Sequence, residues 1–254
     1  YQTALRSITF SSTSDDPTDN ASATTRTLSW QVTDANSDAA GAATSVLATS
    51  TLNLTPLPDA PVITPTGALT YTENVGATIV DSTITVTDVD DTLITGGSIR
   101  ITTNFLAGDV LAVTDSGSIT SSYDPGTGFL TLSGTDTKAH YQTVLRTLTY
   151  LNSTDDPTDN TTKTTRTLTY SLADANSDLA GTATGTASKT INLIPLPDAP
   201  LITGGGQTLA YTEQAAAAVI DATVAVLSDA DDTQMAGATV RLSAGFTTGD
   251  ILAF

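Results

Sequence analysis

Apolar and small polar residues alternate in short stretches all along the chain. TLTYSL at 167 places Leu168, Tyr170 and Leu172 on one face and Thr and Ser on the other, and STITVTD at 82 sets Ile84 and Val86 against Thr83 and Thr85. A period of two is the mark of a half-buried strand. SIRIT at 98, DVLAVT at 109 and SVLATSTLNL at 45 repeat it. SSYDPGTGFLTLSG at 121 predicts a hairpin, because Asp124, Pro125, Gly126 and Gly128 are turn formers between β-rich flanks. One stretch departs from the alternation. In TDTKAHYQTVLR at 135, Tyr141, Val144 and Leu145 share a face at helical spacing, which predicts a single short helix. Seven or more short strands punctuated by Gly, Pro and Asp imply an all-β sandwich. Trp30 stands in the place of Tyr170 on an inward strand position and is expected in core packing.

The pattern recurs as a whole. YQTALRSITF at 1 returns as YQTVLRTLTY at 141, TTRTLSW at 24 as TTRTLTY at 164, DANSD at 34 as DANSD at 174, and YTEN at 71 as YTEQ at 211, each pair 140 positions apart. PLPDAP shifts by 139, from 56 to 195, and NFLAGDVLAV at 104 matches GFTTGDILAF at 245 with a shift of 141, so single-residue insertions sit in loops. This is a tandem repeat of about 140 residues. With units starting at the DAP phrase, residues 59 to 197 make one complete unit. Residues 1 to 58 make the C-terminal part of the preceding unit and residues 198 to 254 the N-terminal part of the following one. The stretch that neither partial unit carries corresponds to residues 114 to 140. A partial β-unit leaves edges unpaired and a face unburied. The expectation is therefore that the end of one segment lies against the start of the next, in a continuous chain or by strand complementation between subunits.

Charge narrows the function. The chain has 254 residues with 27 acidic and 9 basic ones, a net charge of -18. Such a surface repels phosphate backbones and attracts cations, so nucleic acid is not an expected partner. No apolar run approaches the length of a membrane span. The absence of Cys removes disulfides, thiolate metal sites and thiol nucleophiles. The lone histidine, His140, lies in the helical stretch, which argues against a Ser-His apparatus. Gly204, Gly205 and Gly206 lack the strand and helix context of a phosphate loop and are expected in a linker. Acidic residues are plentiful enough for a glycosidase pair, but they recur at repeat-equivalent positions, as structural metal ligands do and catalytic groups rarely need to. The sequons at Asn20, Asn53, Asn152 and Asn160 include only one repeat-equivalent pair, Asn20 and Asn160, each ending an acidic turn.

Those acidic turns carry the candidate chemistry. TDVDD at 87 and SDADD at 228 place Asp88 and Asp90, and Asp229 and Asp231, just after a predicted strand. SDDPTDN at 14 and TDDPTDN at 154 contribute Asp15, Asp16 and Asp19, and Asp155, Asp156 and Asp159. Carboxylate oxygens converging from short loops suit a hard cation such as calcium. Asp-rich turns also form without any ion, because Asp bonds its own backbone.

The order of phrases PLPDAPVI, YTEN, TDVDD, NFLAGDVLAV, SYDPGTGFLTLSG, YQTVLRTLTY, DDPTDN and RTLTYSLADANSD resembles the cadherin-like repeats of large bacterial surface adhesins, over the whole chain. The resemblance implies calcium-rigidified sandwiches joined end to end, with ions where modules meet. It implies ligand roles for the linker residues Asp59 and Asp198, for the paired Asp88 and Asp90 and Asp229 and Asp231, for Glu73 and Glu213 of the first strand, and for Asp34 and Asp174 after the long strand. By the same resemblance Asp155, Asp156 and Asp159 face the next linker. The linker departs from the family pattern: Pro56, Leu57 and Pro58, and Pro195, Leu196 and Pro197, replace further Asp and Asn, and two prolines can stiffen a junction without metal. The functional expectation is a non-enzymatic, extracellular or cell-surface repeat of an adhesin or filament, binding calcium and meeting neighbouring repeats head to tail. A carbohydrate-binding or S-layer-type module is the alternative, and a glycan partner elsewhere in a longer chain belongs with it.

Overall fold

The computed structural model describes residues 1–254, the side chain of Leu227 excepted. In chain order the elements are α1 (Gln2–Leu5), β1 (Thr25–Trp30), β2 (Ala48–Asn53), β3 (Val62–Thr64), β4 (Leu69–Thr72), β5 (Thr78–Ile79), β6 (Thr85–Thr87) and β7 (Leu93–Thr103). They continue as β8 (Asp109–Ala112), β9 (Thr120–Asp124), β10 (Phe129–Thr137), α2 (Lys138–Arg146), β11 (Thr149–Asn152), β12 (Thr165–Asp174), β13 (Thr184–Ile194), β14 (Leu201–Thr203) and β15 (Ala225–Ser228).

The fold is all-β, and its core lies between residues 63 and 193. One sheet has the order β4-β13-β12-β7-β10-β9; opposite it run the three-stranded β5-β11-β8 and the pair β3-β6. Every neighbour pair is antiparallel except β4 with β13, where Leu69 to Thr72 run alongside Ile191 to Ile194. The first strand is thus divided: β3 pairs with β6, and β4 crosses to the larger sheet. This is the Greek-key sandwich arrangement of immunoglobulin-like domains.

The alternation read from the sequence becomes burial. Along β12 every second residue is buried, and the inward row runs Arg166, Leu168, Tyr170, Leu172, Asp174. Its apolar middle packs against Ile99 and Ile101 of β7 and Ile191 and Leu193 of β13, with Tyr150 and Leu111 coming from the opposite sheet. Tyr71 and Tyr150 meet edge to face with ring centroids 4.9 Å apart, fastening one sheet to the other. The hairpin expected at 121 forms as β9–β10, with Asp124 accepting from the Gly126 N–H at 2.9 Å. Its second strand is bulged at Gly134 (φ 118°), where a Cβ would lie 2.1 Å from the Ser118 carbonyl oxygen.

Helix α2 is the expected one. The Thr137 hydroxyl caps it by accepting from the His140 N–H, and Tyr141, Val144 and Leu145 are its buried face. Arg146 donates from Nε to the Ile84 carbonyl (3.0 Å), and the Val86 N–H donates to Gln142 Oε1 (3.1 Å), so the helix seals the open side of β6. His140 is exposed and pairs with Asp136 at 2.6 Å.

Two ion pairs are buried. Asp81 pairs with Lys189 at 3.0 Å. Asp109 pairs with Arg166 at 2.7 Å and also accepts from the Tyr150 hydroxyl (2.6 Å), Asn152 Nδ2 (2.7 Å) and the Leu106 N–H (2.8 Å). Arg166 completes its donor set on the carbonyls of Pro157 (2.7 Å) and Lys163 (3.0 Å). Asn152, one of the sequon asparagines, is buried in this network.

The partial units hold less structure. β1 and β2 form an antiparallel hairpin in the register of β12 with β13, and β14 pairs with β15 as β3 pairs with β6. Trp30 does sit on the inward row of β1, but it is only half-buried and donates to the Ser50 hydroxyl at 2.9 Å, because no second sheet covers that row. Gly204, Gly205 and Gly206 all have positive φ and follow β14 as a non-regular link.

Breaking the buried Asp109–Arg166 pair leaves an uncompensated charge in the core. Asp109→Ala is expected to lower stability by about 3–5 kcal/mol. Thr190→Ser, on the exposed row of β13, should stay within about 0.5 kcal/mol of the parent. Urea unfolding followed by circular dichroism measures both.

Candidate metal centre

Each end of an inward strand row opens at a pole of the sandwich, and polar residues occupy those places. At the upper pole three loops converge. The loop after β6 supplies Asp88, Asp90 and Asp91, one carboxylate oxygen from each lying within 4.8 Å of the others. The end of β12 supplies its last residue, Asp174, and the loop after it supplies Asp178, both fully buried. Asp91 Oδ1 ties the two loops together by accepting from the N–H and hydroxyl of Ser177. The third contributor is the linker, whose Asp59 N–H donates to Asp90 Oδ2 at 2.9 Å.

Several of these oxygens face no donor. Asp88 Oδ2, Asp90 Oδ1, Asp91 Oδ2 and Asp178 Oδ2 are buried without a hydrogen-bond partner. Asp90, Asp91 and Asp178 are each at most 2% exposed. Burial of an unpaired carboxylate oxygen is costly unless a cation or proton meets it. The same crowding raises the pKa of several of these carboxyls. Burial, with the Asp90 carboxyl beside it, pushes Asp88 up to about 6. Burial and the charges of Asp15, Asp90, Asp178 and Asp16 raise Asp59, and burial with Asp91 and Asp90 raises Asp178. Asp174 is raised by burial too, although the Ala183 and Asn176 N–H groups oppose it by donating to its two oxygens. Asp174 therefore shapes the loop and lends its charge from behind.

The junction at the other pole repeats the design. The Asp198 N–H donates to Asp231 Oδ2 at 3.3 Å, the repeat equivalent of the Asp59–Asp90 contact. Asp229, Asp231 and Asp232 again bring an oxygen each within 4.8 Å of one another. From the sandwich side comes Glu73, 2% exposed, with Oε2 accepting from the Leu196 N–H (2.8 Å) and Oε1 left without a partner beside the equally unpartnered Asp198 Oδ2 and Asp231 Oδ1. Burial and the charges of Asp198, Asp231 and Asp155 raise the Glu73 carboxyl. Glu213, its repeat equivalent, is exposed in the following partial unit, and Asp34, the equivalent of Asp174, is exposed in the preceding one.

The DDPTDN phrase divides by residue. Asp15 and Asp155 direct their charge at the linkers, Asp15 at Asp59 and Asp155 at Glu73. Asp16 and Asp156 are held by their own turn: Asp156 Oδ1 accepts from Thr158 and Oδ2 from the Asn160 N–H, and Asp16 does the same with Thr18 and Asn20. Burial would raise Asp16, but the Asn20 N–H and the Thr18 hydroxyl and N–H outweigh it and lower that carboxyl. Asp159 pairs in solvent with Lys163 at 2.8 Å, and Asp19 accepts from the Ser22 hydroxyl at 3.0 Å. Both Asp159 and Asp19 have positive φ, the conformation that closes the turn. Asp91, Asp178 and Asp232 were not singled out from the sequence. Adjacency hid Asp91 and Asp232 behind the alternating pair, and DANSD drew attention to its first aspartate rather than its last.

The donor set fits a hard divalent ion: oxygens only, several carboxylates, unpartnered lone pairs and a linker amide holding the bridging group in place.

Strand pairing and the repeat define the class: a β-sandwich of Greek-key, immunoglobulin-like topology, repeated along the chain. No family model matches the chain. A 113-residue stretch, 42% of this chain, is 40% identical to Halomucin of Haloquadratum walsbyi (strain DSM 16790 / HBSQ001), and the chain spans only 1% of that protein. Among solved structures, the protocadherin gammaB7 EC3-6 cis-dimer is 15% identical with a TM-score of 0.32, covering 72% of this chain and 37% of that one. The protocadherin gamma B2 extracellular cadherin domains 1-5 are 15% identical with a TM-score of 0.31, covering 71% and 28%. These superpositions are loose, and the sandwich stands on its own strand pairing. No helix is long and apolar enough to cross a membrane.

The raised carboxyls set a sign for pH dependence. A group with a folded pKa above its unfolded one stabilises the fold at low pH, and that contribution is lost as pH rises through the folded value. Groups such as Asp81, held low by the N–H groups of Thr66 and Thr83 and the Lys189 ammonium against its burial, titrate below this window. Without divalent cations the melting temperature is therefore expected to fall between about pH 5 and about pH 7 as Asp88 ionises. Saturating calcium should reverse that slope. Scanning calorimetry across the range, with and without the ion, checks both.

Proposed function

We propose that this chain is a structural repeat segment of an extracellular adhesin or surface filament, in which calcium held at the inter-repeat junctions stiffens a head-to-tail array. Residues 59–197 are the complete module, with residues 1–58 and 198–254 belonging to its neighbours. The observation that carries this is the set of unpartnered, buried carboxylate oxygens at both poles, which at the second pole comes from the module (Glu73), the linker (Asp198) and the following unit (Asp231). Asp59, Asp88, Asp90, Asp91 and Asp178 hold the ion at one pole, with Asp15 reaching in from the preceding unit. Glu73, Asp155, Asp198, Asp229 and Asp231 hold it at the other. A cation there replaces mutual repulsion with shared coordination across the linker, so that two modules move as one rod.

The 40% identity over 113 residues to Halomucin, of which this chain spans 1%, supports a segment of a very long chain. Four of the module's five tyrosines, Tyr71, Tyr141, Tyr150 and Tyr170, are buried, and the half-buried Tyr123 donates its hydroxyl to the Asp109 carbonyl. A sugar platform uses exposed rings, so this orientation favours a shaft over a glycan-binding face.

Calcium at about 100 times its dissociation constant should stabilise the fold by about 2.7 kcal/mol, visible as a melting temperature several degrees higher than in chelator. Asp91→Asn combined with Asp178→Asn should abolish most of that increment while leaving the sandwich folded. An identical transition in calcium and in chelator would overturn the metal reading and leave the prolines of PLP to stiffen the linker.

A further inference from the structure

The chain enters the complete module at its upper pole, where the Asp59 N–H donates to Asp90, and leaves it at the lower one, where the Leu196 N–H donates to Glu73. Between those points the entering and leaving segments run side by side in the same direction. β4 and β13 pair in parallel, Leu69 to Thr72 against Ile191 to Ile194.

The contact between the two segments extends well beyond those pairs. Near the entry a Cβ on Gly185 of β13 would lie 1.7 Å from the Pro61 carbonyl oxygen, so backbone rests on backbone. Midway, the buried Lys189 of β13 donates from its ammonium to the carbonyls of Thr66 and Gly67, the latter at 3.0 Å, and to the Asp81 carboxylate at 3.0 Å. Asp81 in turn accepts from the Thr66 N–H at 2.7 Å and from the Thr66 hydroxyl at 3.0 Å, which closes a ring around the entering segment. At the exit the Glu73 N–H donates to the Ile194 carbonyl at 3.0 Å, and Glu73 Oε2 accepts from the Leu196 N–H at 2.8 Å.

This arrangement fixes how a load travels. Tension on the array draws residues 59 and 197 apart, and two parallel neighbours held at opposite ends are then sheared past one another. Hydrogen bonds between strands lie across the strand direction, so shear strains all of them together, whereas a pull across one end opens them in turn. The Lys189 ammonium resists further, because sliding strands would leave it buried without its partners.

We propose that the β4–β13 ladder, with the ring of Lys189, Asp81 and Thr66, is the mechanical clamp of the module and sets the force at which it unfolds under tension along the chain. This rests on the shaft reading above, which makes tension the working condition, but the clamp lies inside one module and away from the calcium junctions.

The 254-residue chain has no cysteine, so pulling handles can be attached through introduced pairs. Leu57→Cys with Leu196→Cys pulls the module from linker to linker and shears the clamp. Val75→Cys with Leu196→Cys grips the lower ends of β4 and β13 and opens the same ladder from one end, through positions that are 62% and 41% exposed. In optical-tweezer unfolding at one loading rate, the first pair should need the higher force. Lys189→Met should lose most of that difference, and at one constant shear load it should unfold about tenfold faster or more. Val144→Ala, in the helix packed on β6, β7 and β10, should melt lower yet keep the parental shear force, because the contacts it loses lie off the clamp. Equal forces in the two geometries overturn the proposal, and that comparison requires no change at residue 189. A Lys189→Met chain with the parental shear force, or a Val144→Ala chain that loses as much of it, overturns the proposal too. Repeating the series in chelator separates the two readings. If the force difference persists while calcium leaves the melting temperature unchanged, the calcium reading fails alone; if the difference vanishes without calcium, junction ions carry the load and the clamp is overturned.

Discussion

A single buried guanidinium joins the core of this protein to its poles. Arg166 enters the inward row of β12 at the point where the sandwich opens, and no solvent reaches it. Its Nε rests on Asp109 of the opposite sheet and its Nη groups on the carbonyls of Pro157 and Lys163, so one side chain fastens both sheets and the acidic turn beside them. A guanidinium suits the place because its planar fork can serve a carboxylate and two carbonyls together, which an ammonium cannot. The turn it anchors is the one that carries Asp155 toward Glu73 and the next linker. Core packing and junction geometry are therefore one problem.

At the poles the balance runs the other way. The interior ion pairs are matched charge for charge, whereas the junctions collect carboxylates in excess of any counter-charge, Lys138 reaching only the Asp88 carbonyl. Such a cluster is a poor way to stabilise an isolated sandwich and a good way to make its ends conditional on a cation. Linker amides reinforce the arrangement: the N–H groups of Asp59 and Asp198 each fix one oxygen of the following loop, leaving the other directed inward. The ion would then bridge parts of the chain that belong to successive units.

Comparing repeats within one chain separates what is local from what is not. The DDPTDN turn has the same hydrogen bonds at 16 to 20 as at 156 to 160, and the β1–β2 register copies that of β12–β13, although residues 1 to 58 have no closed core. Turns and hairpins are therefore set by neighbouring residues. Burial is not. Tyr170 is enclosed while Trp30, on the same row, is half open, because enclosure needs a second sheet from distant sequence.

Period-two alternation, turn chemistry and the 140-residue repeat were enough to determine an all-β sandwich with one short helix, the hairpin at 121 and the acidic character of the loops. These properties depend on residues close together in the chain. The sequence also pointed to the loops in which carboxylates crowd, but not to the oxygens within them that are left without a donor. Asp156 and Asp91 look alike as letters in acidic phrases. Only the fold decides that both oxygens of Asp156 meet amides of its own turn, while Asp91 is pressed beside Asp178 from a loop 87 residues away with one oxygen left without a donor. The Arg166–Asp109 clasp was equally invisible, since 57 residues separate its partners. Which charges are buried, and which meet one another, follows from strand pairing between distant segments, and tertiary structure alone brings those segments together.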